Sequence, residues 1–235
     1  MRRREFIGLL GSAAAGWPLA ARAQGGRKPR IGVLSGGAED DPQARTNIAA
    51  FNTGLQGLGW IDGGNLQVEY RFGAADVDRQ RFAKELVSFQ PDVIVGATTP
   101  VIAALARETK TIPIVFVVVS DPVGSGFVSS FSRPRGNITG FVNIEASMAG
   151  KWIDFLKEVS PRLARVAFIY NPATAPYSFY LDPFKTAAKS IGVEALPTPI
   201  QAVEEIEPAI GRLSENPNSS LAVMPDIFTA SRRPG

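Results

Sequence analysis

Buried-strand patterns and amphipathic-helix patterns alternate along this chain from residue 30 almost to its end, and that alternation limits the fold more than any single residue does. The run 30–35 is continuously apolar and closes in Gly36-Gly37. Such a run reads as a strand covered on both faces. In 42–58, Ile48, Phe51, Leu55 and Leu58 recur at spacings of three and four, the repeat of a helix with one apolar face. The segment 66–72 alternates apolar and polar residues, as a half-covered strand does, and 76–89 is helical with Asp76 as its expected cap. The same alternation continues with strands at 92–96, 112–119 and 137–142 and helices at 100–109 and 146–159. A second series follows, with strands at 165–170, 193–197 and 220–224 and helices at 176–191 and 203–213. Buried strands joined by helices pair in parallel, because a parallel connection has to cross over the sheet. The expected class is therefore α/β, with two lobes of parallel sheet. Lobe one covers residues 24–140 and lobe two residues 141–235, and the chain crosses between them near Ile138–Phe141.

In parallel sheets the ligand site lies beyond the carboxyl ends of the strands. Here those ends carry small or polar residues: Ser35-Gly36, Thr98-Thr99, Ser120-Asp121, Asn171-Pro172 and Pro225-Asp226. Helix N-termini that follow such turns offer free N–H groups and partial positive charge. A carboxylate would be well received near Thr98-Thr99, and Asp121 or Asp226 could hold a cationic group. Each of these residues also serves as an ordinary cap or turn former. The functional reading rests on the set of Ser35, Gly36, Thr98, Thr99, Ser120, Asp121, Asn171 and Asp226 sharing one edge.

Several chemistries are excluded. The chain has no Cys and no His, which removes the usual zinc sites, thiol nucleophiles, His-based triads and disulfides. Neither G-x-G-x-x-G nor a P-loop follows the first strand, and there is no G-x-S-x-G elbow. No cofactor and no metal is implied; Asp40 and Asp41 are adjacent loop acids of the kind that water solvates. The formal charge of +3 belongs to the first two dozen residues, where Arg2, Arg3, Arg4 and Arg22 face only Glu5. The remainder is balanced, with no basic stripe to displace counterions, so nucleic acid is not an expected partner. An exported α/β enzyme using carboxylates and a ligand-sensing module stay open as alternatives to a solute binder.

Residues 1–23 read as a cleavable export leader. Arg3-Arg4-Glu5-Phe6-Ile7 resembles the twin-arginine signal, 6–19 is weakly apolar and rich in Gly and Ala, and Ala21-Arg22-Ala23 predicts cleavage after Ala23. The expected location is the periplasm. No later stretch is long enough to span a bilayer.

Five segments together resemble the TrpX-like family of ABC-transporter substrate-binding proteins. They are the opening RIGVLSGG, ATTPVIAALARETKTIPIVF, SDPVGSGFVSSFSRPRGNITGF, the YNP turn and MPDIFTASRR. The resemblance runs from Arg30 to Arg233, and the SDP…GNITG block is its most specific part. It implies a type I periplasmic-binding-protein architecture of two Rossmann-like lobes around a cleft. It also implies a small-molecule solute as ligand, possible amino-acid specificity, ABC permease subunits in the inner membrane as partners and no catalysis. Thr98, Thr99, Ser120, Asp121, Asn171 and Asp226 fall at matching positions. Members of that family continue beyond the MPD turn, so the resemblance also implies a second lobe that is incomplete, in a chain truncated at its C-terminus.

Overall fold

The computed structural model describes residues 27–142, 144–174 and 177–230. The expected leader, residues 1–23, lies outside them. The strands fall into two separate parallel sheets, in agreement with the expected class. The first sheet contains β1 (Arg30–Ser35), β2 (Gln67–Phe72), β3 (Val93–Ala97), β4 (Ile114–Val117) and β5 (Ile138–Gly140), in the order β2-β1-β3-β4-β5. Its helices are α1 (Pro42–Gly57), α2 (Asp76–Ser88) and α3 (Thr99–Glu108). The second sheet contains β6 (Arg165–Tyr170), β7 (Glu194–Pro199) and β8 (Ser219–Val223), in the order β7-β6-β8. Around it lie α4 (Met148–Val159), α5 (Ser178–Ser190), α6 (Ile206–Ser214) and the single turn α7 (Ile227–Ala230). Among the described residues no helix is long and apolar enough to cross a membrane.

The cores follow from the patterns. In lobe one Leu34, Leu86, Ile94, Ile102, Leu105 and Ile114 are fully buried, an aliphatic core with Phe116 at its side. Lobe two is aromatic. Phe168, on the central strand, has ring centroids 4.7 Å from Phe184, 5.8 Å from Tyr170 and 6.2 Å from Trp152. Offset rings at these separations add to the burial of their own area.

The structure departs from the sequence expectations where backbone geometry overrides pattern. The apolar run 112–119 predicts a long strand, but β4 ends at Val117 because Val118 takes φ +54 and leaves the ladder. Asp76 is not a cap: Ala75 holds that position, with no side-chain bond to the helix. Arg79 bonds back to the carbonyls of Gly73 and Ala74 and holds the turn from within. The strand expected at 193–197 extends to Pro199 and contains two prolines. It tolerates them because β7 is an edge strand paired only with β6. The helix expected from 203 opens with a 3₁₀ turn, Val203–Glu205, before α6.

Candidate ligand-binding cleft

Parallel pairing brings the carboxyl ends of β1, β3 and β4 to one edge of lobe one, and those of β6 and β8 to one edge of lobe two. The two edges face each other across a cleft of about 360 Å³, with residues of both lobes in its lining. Contact across it is direct: the Ser120 hydroxyl donates to the Pro225 carbonyl at 3.4 Å.

On the lobe-one wall, Ser35 closes β1. Its carbonyl accepts from Gly73 N–H at 2.8 Å, and its hydroxyl accepts from Gly37 N–H at 3.3 Å. Gly36 has to be glycine, because a Cβ there would stand 2.4 Å from the Thr98 hydroxyl and 3.1 Å from the Ala97 carbonyl. Thr98 lies between β3 and α3. Its φ of +92 is an unusual value for a β-branched residue, and it is only 7% exposed. Its N–H donates to Val117 O at 3.1 Å, which ties the β3 turn to β4, but its buried hydroxyl has no partner among the described residues. Thr99 adds a second tie, accepting from Ser120 N–H at 3.1 Å. Pro100 lacks an N–H, so Thr99 and Val101 carry the first-turn donors of α3 that have no intrahelical acceptor.

The lobe-two wall is built differently. Asp226 is 8% exposed. Thr174 donates its hydroxyl to Oδ2 at 2.6 Å, and the Thr229 N–H and hydroxyl lie 2.9 and 3.1 Å from Oδ1. All three partners are neutral groups, and Asp226 makes no ion pair among the described residues.

Six of the eight residues singled out from sequence, Ser35, Gly36, Thr98, Thr99, Ser120 and Asp226, line this cleft. Asp121 and Asn171 do not. Asp121 turns its carboxylate onto its own loop and accepts from Gly124 N–H at 2.8 Å. Asn171 is buried and accepts from Ala173 N–H at 2.8 Å, a side chain mimicking a backbone turn. Sequence reasoning missed the α1 contribution. Asp41 is not a loop acid in water but the cap of α1, accepting from the N–H groups of Gln43 and Ala44 at 2.7 and 3.1 Å. It lines the cleft with Gln43 and Asn47, whose side chains bond to each other at 2.9 Å. Polar residues four apart at the start of an otherwise amphipathic helix were the available signal. Asp41 and Asp226 are the carboxylates of the lining, and no group of three or more metal-ligating side chains converges among the described residues.

The profile of the family described as ABC transporter substrate binding protein matches residues 40–232, most of the chain. The chain belongs to this family. A curated relative, the tyrosine-binding protein of Clostridioides difficile strain R20291, is 29% identical over 167 residues, which are 69% of this chain and 47% of that protein. The chain thus spans about half the length of that relative. Among solved structures, a conserved domain protein from Vibrio cholerae is 27% identical with a TM-score of 0.71, covering 80% of this chain and 63% of its own. The ABC domain from Streptococcus pneumoniae in complex with L-Trp has a TM-score of 0.77 at 22% identity, covering 87% and 68%. At that identity the likeness speaks for the fold, which is the type I periplasmic-binding architecture. These relatives bear out the TrpX-like resemblance, and family and neighbours alike are binding proteins rather than enzymes.

Proposed function

We propose that this chain is the solute-binding component of an ABC-type importer and that it captures a small zwitterion of the amino-acid class between its lobes. One observation carries the reading: a buried carboxylate with only neutral partners, Asp226, stands on the wall opposite the free N–H groups that open α3. The helix terminus suits the ligand carboxylate, and Asp226 suits its ammonium. The cleft volume suits a single amino acid, and the tyrosine-binding and L-Trp-bound relatives put aromatic amino acids first among the candidates. The twin-arginine leader, with removal of residues 1–23, supports export to the periplasm and delivery of the solute to permease subunits in the inner membrane. A ligand-sensing role or carboxylate chemistry has no comparable observation behind it.

Calorimetric titration with L-tyrosine, L-tryptophan and L-leucine tests this. Tyramine lacks the carboxylate and 3-(4-hydroxyphenyl)propionate lacks the ammonium. Each should bind roughly tenfold or more weakly than L-tyrosine, the expected loss for one charge-assisted contact. Analogues that bind as tightly as the amino acid, or a panel that yields no heat with any amino acid, would sink the reading.

A further inference from the structure

Two glycines, Gly124 and Gly126, sit two residues apart in the turn after β4, and they differ in what they need. Gly126 has φ +74, and a Cβ there would meet nothing within 4 Å, so it is glycine for its backbone. Gly124 has no such φ. A Cβ there would stand 2.5 Å from Cζ of Phe179 and 2.4 Å from Oδ2 of Asp121, so it is glycine for space. Phe179 belongs to the other lobe, in the first turn of α5. Its ring therefore rests on a lobe-one turn, and it does so while 40% exposed, which is unusual for an aromatic whose only task is to fill a core.

Its neighbours show why it stays there. Tyr180 is fully buried, and its hydroxyl donates to the Ile144 carbonyl at 3.1 Å, in the segment that passes between the two sheets. Burial pushes the Tyr180 phenol above its ordinary value; the nearby Ser120 hydroxyl opposes that rise and the Asp121 carboxylate adds to it, so the phenol sits within reach of lobe one. Ser120 in turn donates to Pro225. Phe179 on Gly124, Tyr180 beside Ser120, and Ser120 on Pro225 form one line of contact where the chain crosses between lobes. Ser120 and Pro225 of this line, with Ile144, also belong to the cleft lining.

We propose that Phe179 is a positioning residue for the cleft: seated on Gly124, its ring is the stop that sets how far apart the two walls stand. Phe179 is not among the cleft-lining residues, so it acts on capture through the spacing of the lobes. The contact is steric, between a ring of lobe two and a turn of lobe one, and lies outside the cleft lining.

The chain contains no Cys, so two introduced cysteines are unique labelling sites. Ala50→Cys on α1 and Glu207→Cys on α6 are exposed and lie one on each lobe. Pulsed electron paramagnetic resonance on the spin-labelled, ligand-free chain reads the interlobe distance. Phe179→Ala should shift and broaden that distribution, and Phe179→Leu should give an intermediate shift. Gly124→Ala should shift it in the parent background and clearly less in the Phe179→Ala background, because the ring it would collide with is gone. A side chain with a merely local structural role would move the melting temperature and leave the distance alone. A Phe179→Ala protein that is folded by circular dichroism, with a distribution superimposable on the parent's, overturns the proposal. So does a Gly124→Ala shift of equal size in both backgrounds. If Phe179→Ala does not fold, an unshifted Phe179→Leu distribution overturns it equally. Because the distance is read without ligand, failure here and failure of the amino-acid reading are separable.

Discussion

The two walls of the cleft are built on opposite principles. On the lobe-one wall, Thr98 and Val118 both have φ in the positive range, at +92 and +54, and the Thr98 hydroxyl is buried without a partner among the described residues. On the lobe-two wall neither Thr174 nor Asp226 is in that range, and both carboxylate oxygens of Asp226 accept hydrogen bonds from their own lobe. Strained backbone and unmet hydrogen-bonding capacity cost free energy and persist only where the surroundings enforce them. Here the enforcement is a pair of ties from the β3 turn, Thr98 N–H to Val117 of β4 and the Thr99 hydroxyl to Ser120 just beyond it. The contrast assigns the walls different tasks: lobe one holds a costly arrangement ready before a ligand arrives, whereas lobe two presents a carboxylate that is already fixed.

The cores behind the walls differ as well, and the largest expected effect probes that difference. Phe168 lies under the lobe-two wall at the centre of stacked rings and is fully buried. Phe168→Ala should cost about 3–5 kcal/mol in urea unfolding, since the removed ring leaves a cavity that its rigid aromatic neighbours cannot close. Its lobe-one counterpart, Ile94→Val in the aliphatic core, should cost only about 0.5–1.5 kcal/mol. Equal midpoint shifts for the two variants would show that the aromatic cluster gives lobe two no special dependence.

Much of this molecule is legible in its sequence, and the exceptions have common causes. Continuous apolar runs such as 30–35 and 165–170 fix the strands because only a two-sided core needs them. Six of the eight residues picked out by one rule about strand ends line the cleft, because that rule is a matter of topology. What sequence could not show is where a short polar side chain points. Asp121, Asn171 and Asp226 all accept from a backbone N–H two or three residues ahead, yet among these three it is Asp226 that lines the cleft, a placement that periodicity does not encode. The positive φ of Val118 is likewise hidden, because valine in an apolar run reads as strand. Phe179 was invisible for a different reason: its partner, Gly124, is 55 residues away in the other lobe.

A smaller effect tests whether the lobe-two wall is self-sufficient. Asp226→Ala removes the acceptor for Thr174 and Thr229 and the start of the α7 turn. The loss should be about 1–3 kcal/mol, the usual result of leaving part-buried donors without partners. Asp226→Asn keeps the shape and one acceptor, so it should recover part of that loss while still binding L-tyrosine poorly. If Asp226→Ala were neutral in urea unfolding, the wall would not be held by this network and the contrast with lobe one would lapse.

The smallest effect has the opposite sign, and that sign is what makes it informative. Glycine at position 98 would adopt φ +92 without the clash that threonine suffers, and it would remove the unpartnered hydroxyl. Relief of a strained non-glycine backbone is worth about 1–3 kcal/mol. Against it stands the entropy of a new glycine in the unfolded chain, about 0.5–1 kcal/mol, together with the apolar contact of the lost methyl group against Gly36. The two ranges leave the variant about 0–2.5 kcal/mol ahead, and the lost contact lowers that toward the small end. Thr98→Gly should therefore raise the urea midpoint slightly, while Thr98→Ala, which keeps the strain and loses the hydroxyl, should not gain as much. The gain has to come with a loss elsewhere if the arrangement serves a ligand: a freed backbone at 98 loosens the first turn of α3, and L-tyrosine affinity should fall. A Thr98→Gly protein that is less stable than the parent would mean that the turn is held by interactions outweighing its strain. One that is more stable and binds L-tyrosine unchanged would mean that the strain on the lobe-one wall has nothing to do with capture.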